Sequence, residues 1–236
     1  MWQANVFTIF PDAFPGTLGV SMAKKALDQG KWRLNIVDLK KFPVKSDRID
    51  SEPYGGGAGM ILSPISFAQA IESLTENEKK WKKIYFSPRG RQMTQVDLQD
   101  LSNSTGITLL CGRYEGVDQR IIDCYEMEEI SIGDFVLLGG EVAAMAIIEG
   151  CVRLLPTVIG NDCSLWNDSF QHHLLEYDQY TRPAVFKEFA VPEVLRHGNH
   201  QKIAKFQLNQ SKELTRKRRP DLWGKYINFF LKKIVN

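Results

Sequence analysis

The chain has little cysteine: four residues in 236, Cys111, Cys124, Cys151 and Cys163, none of them in a Cys-x-x-Cys pair. That spacing argues against a structural zinc site and a disulfide framework. It fits reduced, buried thiols in a cytoplasmic protein. No apolar run reaches the ~20 residues of a membrane span. The first residues lack a basic stretch followed by an apolar one, so no secretory signal is expected. No Gly-x-x-x-x-Gly-Lys-Ser/Thr occurs, which excludes a P-loop nucleotide hydrolase even though Gly55-Gly56-Gly57 superficially resembles a phosphate loop. Internal repeats and low-complexity segments are absent as well.

What is present is an ordinary globular composition, 43% hydrophobic and 25% charged, in a chain long enough for one large domain or two modest ones. The net charge of +2 hides an uneven distribution. Residues 196–236 carry eleven Lys/Arg against two Asp/Glu, with Arg216-Lys217-Arg218-Arg219 as a tight cluster, and the rest is mildly acidic. A basic tail reads as a polyanion surface, nucleic acid first, or as a solvated helix face.

Apolar strand patterns alternate with helical ones through the first two thirds. Strands are expected near 3–10, 32–39, 84–87, 107–111 and 129–132, and helices near 21–29, 94–101, 117–125 and 141–149. A further helix should start at Ser63-Pro64, with Ser as cap and Pro in the first turn. This alternation predicts an α/β domain with a mainly parallel sheet over residues 1–160. Residues 161–175 read as a flexible linker, and 176–236 as a small all-helical, basic domain. Its last helix should pack through Phe229, Phe230 and Leu231. His197-Gly198-Asn199-His200 reads as a solvated turn with Asn199 capping the next helix.

Three strands end in small residues. Residues 131–141 (SIGDFVLLGGE) run into a double glycine and then a helix, 109–116 (LLCGRYEG) end in a Gly-flanked Arg-Tyr-Glu, and 84–90 (IYFSPRG) end in a Pro/Gly turn. Such ends at one sheet edge predict a single pocket for a nucleotide-like small molecule, because glycine lets main-chain groups approach a ligand.

These segments also occur in a fixed order with 53–60 (PYGGGAGM), Asp168-Ser169-Phe170, Tyr180-Thr181-Arg182-Pro183 and 218–222 (RRPDL). Together they resemble the bacterial tRNA (guanine-N(1)-)-methyltransferases, members of the SPOUT superfamily, over nearly the whole chain. The resemblance implies an α/β domain threaded as a deep trefoil knot between about Tyr85 and Glu141, an exception to the rule that chains do not thread loops. It implies S-adenosylmethionine as methyl donor, magnesium as a second cofactor with no oxygen cluster readable in the sequence, and a homodimer with the active site between subunits. The substrate is tRNA, methylated at N(1) of the guanine at position 37, next to the anticodon. No membrane and no other protein partner are implied.

Carried onto this chain, the resemblance makes Asp168 the general base and Arg153 a stabiliser of the guanine oxygen or of the base's charge. Asp168 also reads as a turn or cap residue, and Arg153 as a cation complementing a helix C-terminus. A carboxylate in water is a weak base, so an apolar, closed site would be needed to strengthen it. The cofactor would meet main-chain groups at Ile132, Gly133, Phe135, Leu137, Gly139 and Gly140. Tyr85, Ser87 and Pro88 would line its ribose and methionine side, with Gly112 and Tyr114 beneath. Glu115 would contact its amino end, directly or through a metal, or the guanine. Tyr85 and Phe135 also read as core packing. Arg182, Arg196, Lys202, Lys205, Arg216, Arg218 and Arg219 are the candidates for tRNA phosphates, and Trp166 for stacking on a base.

Four positions depart from the family pattern. Leu138 stands for a small polar residue, Ala143 and Ala58 for prolines, and Glu52 for an arginine. The rival readings are a SPOUT enzyme acting elsewhere on RNA and a nucleic-acid-binding protein without chemistry.

Overall fold

The structure, a computed structural model, describes residues 1–42, 48–160 and 168–235. The chain divides into two compact units, Met1–Gly160 and Asn161–Asn236. The linker reading over 161–167, with Cys163 and Trp166, lies outside the described residues.

In the first unit the elements are β1 (Trp2–Thr8), α1 (Ser21–Asp28), β2 (Trp32–Asp38), β3 (Asp50–Ser51), β4 (Ile61–Leu62), α2 (Pro64–Glu72), β5 (Lys82–Gln92), α3 (Gln95–Ser102), β6 (Gly106–Leu110), α4 (Gln119–Cys124), β7 (Glu128–Ser131) and α5 (Glu141–Leu154). Five strands form one sheet in the order β2-β1-β6-β5-β7, and every neighbouring pair is parallel. Parallel strands need crossover helices, which cover both faces, and the central strand β6 (GITLL) is buried along its whole length. On β1, Trp2, Ala4 and Val6 join one buried cluster with Ile84, Leu109 and Ile148. Phe7 belongs to the other, with Phe67, Leu110 and Ile121. The two-residue period of a strand separates the sets.

Local rules set the helix starts. Ser63 Oγ accepts the Ile65 N–H at 3.3 Å and Pro64 opens α2. Thr94 and Asp97 form a reciprocal capping box at α3. Asp97 also pairs with Arg91 at 2.7 Å, while Arg91 reaches Glu128 at 2.6 Å. The Arg91 guanidinium, then the Thr94 donors, hold the Asp97 carboxyl at about 2, below its ordinary 3.8. A depressed carboxyl stabilises the fold above its unfolded pKa and ceases to do so as pH falls through the folded value. Thermal melts of the wild type and Asp97→Asn should therefore differ above pH 3.8 and converge as pH falls toward about 2. Parallel curves across that window would refute this.

Strand β5 runs past the Pro/Gly turn at which the sequence ends it. Phe86 and Arg91 both face Ile130, so residues 87–90 loop out of the ladder before pairing resumes. Gly90 approaches the Glu129 and Ile130 backbone too closely for any side chain. Cys111 and Cys151 are buried as expected, but Cys124 is exposed. It ends a six-residue helix whose Ile121 and Ile122 face the core, leaving its own side chain outward.

The second unit contains β8 (Val185–Phe186), β9 (Phe189–Ala190), α6 (His200–Arg218) and α7 (Pro220–Val235). It is mainly helical. Asn199 caps α6 by accepting the Lys202 N–H at 3.1 Å. The buried Thr215 hydroxyl accepts the Leu175 N–H at 2.8 Å and donates to the Ser211 carbonyl at 2.6 Å. Along α7, Leu222 and Tyr226 are buried, Phe229 packs edge-on to His173 at 6.1 Å and Phe230 against Tyr226 at 4.9 Å while each stays partly exposed, and Leu231 is exposed. The β8–β9 hairpin has no counterpart in the sequence reading, since two-residue strands leave no periodic signal. No helix among the described residues is long and apolar enough to cross a membrane.

Candidate active site

The bulge within β5 and the loops after β6 and β7 line one cavity of about 270 Å³. From β5 come Tyr85, Ser87 and Pro88. From β6 come Gly112, Tyr114 and Glu115. The long loop after β7 supplies Ile132, Gly133, Phe135 and Leu137, and then Gly139 and Gly140 at the start of α5. The structure thus brings all the sequence-predicted pocket residues into the lining of one cavity, together with Arg113.

Hydrogen bonds tie the loops to one another. Gly140 N–H donates to the Gly112 carbonyl at 3.0 Å, and Ala144 N–H to Gly140 at 2.8 Å, so the loop after β6 is hung on the first turn of α5. Ser131 Oγ bonds both the N–H and the carbonyl of Gly133, at 3.2 and 2.9 Å. A methyl at Gly140 would sit 2.8 Å from Cys111 Cα, and one at Gly139 would collide with the Arg113 side chain. The double glycine is required by the protein's own close packing, in addition to any ligand. Tyr85 is buried under the site, and a methyl at Gly116 would sit 2.8 Å from its hydroxyl. Burial pushes its phenol up from 10.0, opposed by a hydrogen bond at Val117. Phe135 is not core, as one reading held: its ring is half exposed, beside Gly133.

Sequence reasoning missed two features. The Glu141 carboxylate is 2% exposed at the first residue of α5. It accepts the Thr8 hydroxyl at 2.8 Å and lies 2.9 Å from Arg113 Nε, an ion pair without an aligned hydrogen bond. The Arg113 guanidinium stacks over Phe10 at 4.5 Å. The run of helix formers after Gly140 points to a helix start but not to a buried charge. Second, Gly59, at φ +90, leaves room for the Glu115 side chain. The Glu115 N–H donates to the Met60 carbonyl at 3.0 Å, joining the glycine-rich loop between β3 and β4 to the β6 loop.

Arg153 is half-buried in the last turn of α5, the place of a dipole-complementing cation. In the second unit, Asp168 is half-buried and precedes the turn at Ser169–Phe170. Arg182, Arg196, Lys202, Lys205, Arg216 and Arg218 are exposed. Arg219 is engaged by Asp221, with contacts at 2.9 and 2.6 Å. His197 pairs with Glu193 at 3.1 Å. Among the departures, Leu138 is 90% exposed, and α5 begins at Glu141 without the proline that Ala143 replaces.

A family profile described as tRNA (Guanine-1)-methyltransferase TrmD matches residues 2–225. The chain belongs to the TrmD family. Relatives named tRNA (guanine-N(1)-)-methyltransferase include one from Ruegeria pomeroyi, 50% identical over 228 residues, covering 96% of this chain and 94% of its own length. One from Cereibacter sphaeroides strain KD131 is 48% identical, covering 95% and 92%, and one from Bartonella henselae is 46% identical, covering 95% and 96%. The TrmD profile spans both units, so it includes the cavity, Arg153, Asp168 and all but the end of the basic tail.

Proposed function

We propose that this chain transfers a methyl group from S-adenosylmethionine to N(1) of guanine at tRNA position 37, as a cytoplasmic homodimer with its active site between subunits and its sheet threaded as a trefoil knot. The observation that carries this reading is the glycine-lined cavity formed by the β5 bulge and the loops after β6 and β7, in a chain of this family. The cavity suits the cofactor. Glycines at 112, 133, 139 and 140 present main chain, while Pro88, Ile132 and Leu137 offer apolar contact for a purine and ribose. Glu115 at the rim would receive the amino end.

Bound S-adenosylmethionine would supply an electrophilic methyl on its sulfonium. N(1) of neutral guanine carries a proton and is a poor nucleophile. The Asp168 carboxylate would take that proton, leaving N(1) a nucleophile for the methyl group. Arg153 would offset negative charge developing on O6. Exposed cations of the second unit, Arg182, Arg196, Lys202, Lys205, Arg216 and Arg218, would hold phosphates, which makes binding salt-sensitive. Arg219 would join them only by leaving Asp221. Among the described residues no three His, Cys, Asp or Glu side chains gather as a metal site, so the residues present do not outline a magnesium position.

The test is methyl transfer from labelled S-adenosylmethionine to two unmodified tRNA transcripts that differ only at position 37. Transfer to the guanine transcript and none to the adenine one is expected. Equal transfer to both would move the target elsewhere on RNA. Transfer to neither, with cofactor binding intact, would overturn the tRNA assignment.

A further inference from the structure

A buried carboxylate is costly unless it is paired and hydrogen-bonded. Glu141 satisfies one oxygen with Thr8 at 2.8 Å and sets the other 2.9 Å from Arg113 Nε, where no aligned hydrogen bond forms. Geometry of that kind supplies charge more than it supplies a hydrogen bond. Arg113 lines the cavity that would receive a sulfonium. Alone, its fixed positive charge would oppose a cationic ligand across a cavity of this size, where charges are weakly screened.

We infer that Glu141 neutralises Arg113 so that the cavity accepts a cationic sulfonium ligand as readily as its neutral thioether. This rests on the reading of the cavity as the S-adenosylmethionine site. Arg113 stays because its stem fills the space left by Gly139 and its guanidinium covers Phe10. Glu141 can hold the compensating charge because it opens α5, where the helix dipole favours an anion and Thr8 reaches it from β1. Glu141 is thus a positioning and charge-compensating residue.

S-Adenosylmethionine and S-adenosylhomocysteine differ by one methyl and one positive charge, so their affinity ratio isolates the electrostatic effect. Calorimetry on full-length protein should find that Glu141→Gln, which keeps an acceptor for Thr8, shifts the ratio about fivefold to tenfold toward the homocysteine form. Arg113→Gln should shift it the opposite way. A purely structural role would weaken both ligands together and leave the ratio in place. An unchanged ratio in both variants, or shifts of the same sign, would overturn the inference. Should Glu141→Gln lose its circular dichroism signal, Arg113→Gln decides alone, and an unchanged ratio there overturns it. Wild-type protein that binds neither ligand would overturn the reading of the cavity itself, and the inference with it. Wild-type binding of both with an unmoved ratio in the variants overturns the inference alone.

Discussion

Asp168→Ala should abolish methyl transfer while leaving the affinity for S-adenosylmethionine within about twofold of wild type. The loss should be on the order of 10²-fold to 10⁴-fold, the range general-base catalysis contributes. The reason lies in the substrate. Neutral guanine cannot accept a methyl at N(1) without giving up the proton there, and a positioned carboxylate is the simplest acceptor. Asp168→Asn should be nearly as inactive, because the amide keeps the shape and loses the basic oxygen. Single-turnover rates with saturating tRNA measure the step itself. Normal turnover in the alanine variant would remove Asp168 from the mechanism. Equal losses of turnover and cofactor affinity would make it a structural residue of its turn instead.

The second large effect is expected at Gly140. Its backbone, at φ −81 and ψ −7, suits any residue, so alanine there meets no conformational strain. The obstacle is contact. The added methyl would stand 2.8 Å from Cys111 Cα and 3.3 Å from Gly112 N, both backbone atoms at the end of the fully buried strand β6. Backbone cannot swing aside as a flexible side chain does. The loops must separate, which weakens the 3.0 Å hydrogen bond from Gly140 to Gly112. Overpacking of this kind costs about 1–3 kcal/mol, a fall of several degrees in Tm for a unit of this size. S-Adenosylmethionine affinity should drop at least about tenfold, since two of the three cavity loops shift. Gly160→Ala is the control: among the described residues nothing lies within 4 Å of its added carbon, so stability should hold or rise slightly. A Gly140→Ala protein with wild-type Tm and cofactor affinity would show that the close approach is not what demands glycine.

Much of this was legible one element at a time. Ser63-Pro64 marks a helix start through a hydroxyl and a fixed φ, and Asn199 does the same for α6. Apolar runs ending in glycine locate the three cavity loops. Order of motifs along the chain, more than any single motif, pointed to the family. Other features escaped for stated reasons. Residues 87–90 read as the end of β5 because Pro and Gly usually close a strand, yet β7 continues alongside and takes up Arg91 and Gln92. The last helix packs as expected, with Leu222 and Tyr226 buried and Phe229 and Phe230 in ring contact with His173 and Tyr226, while Leu231 stays exposed because apolarity predicts burial only on average.

The amino-acid sequence by itself determined the α/β alternation, the helix caps, the basic C-terminal segment and the position of each glycine-ended loop. Each depends on interactions within a few residues or on composition. Tertiary structure alone decided that β6 lies between β1 and β5, that Gly140 is a glycine for lack of space, and that Glu141 is buried against Thr8 and Arg113. Thr8 and Glu141 are 133 residues apart and meet only because the parallel sheet sets the end of β1 beside the start of α5. Local periodicity carries no information at that range, so the charge balance of the cavity becomes visible only once the chain is folded.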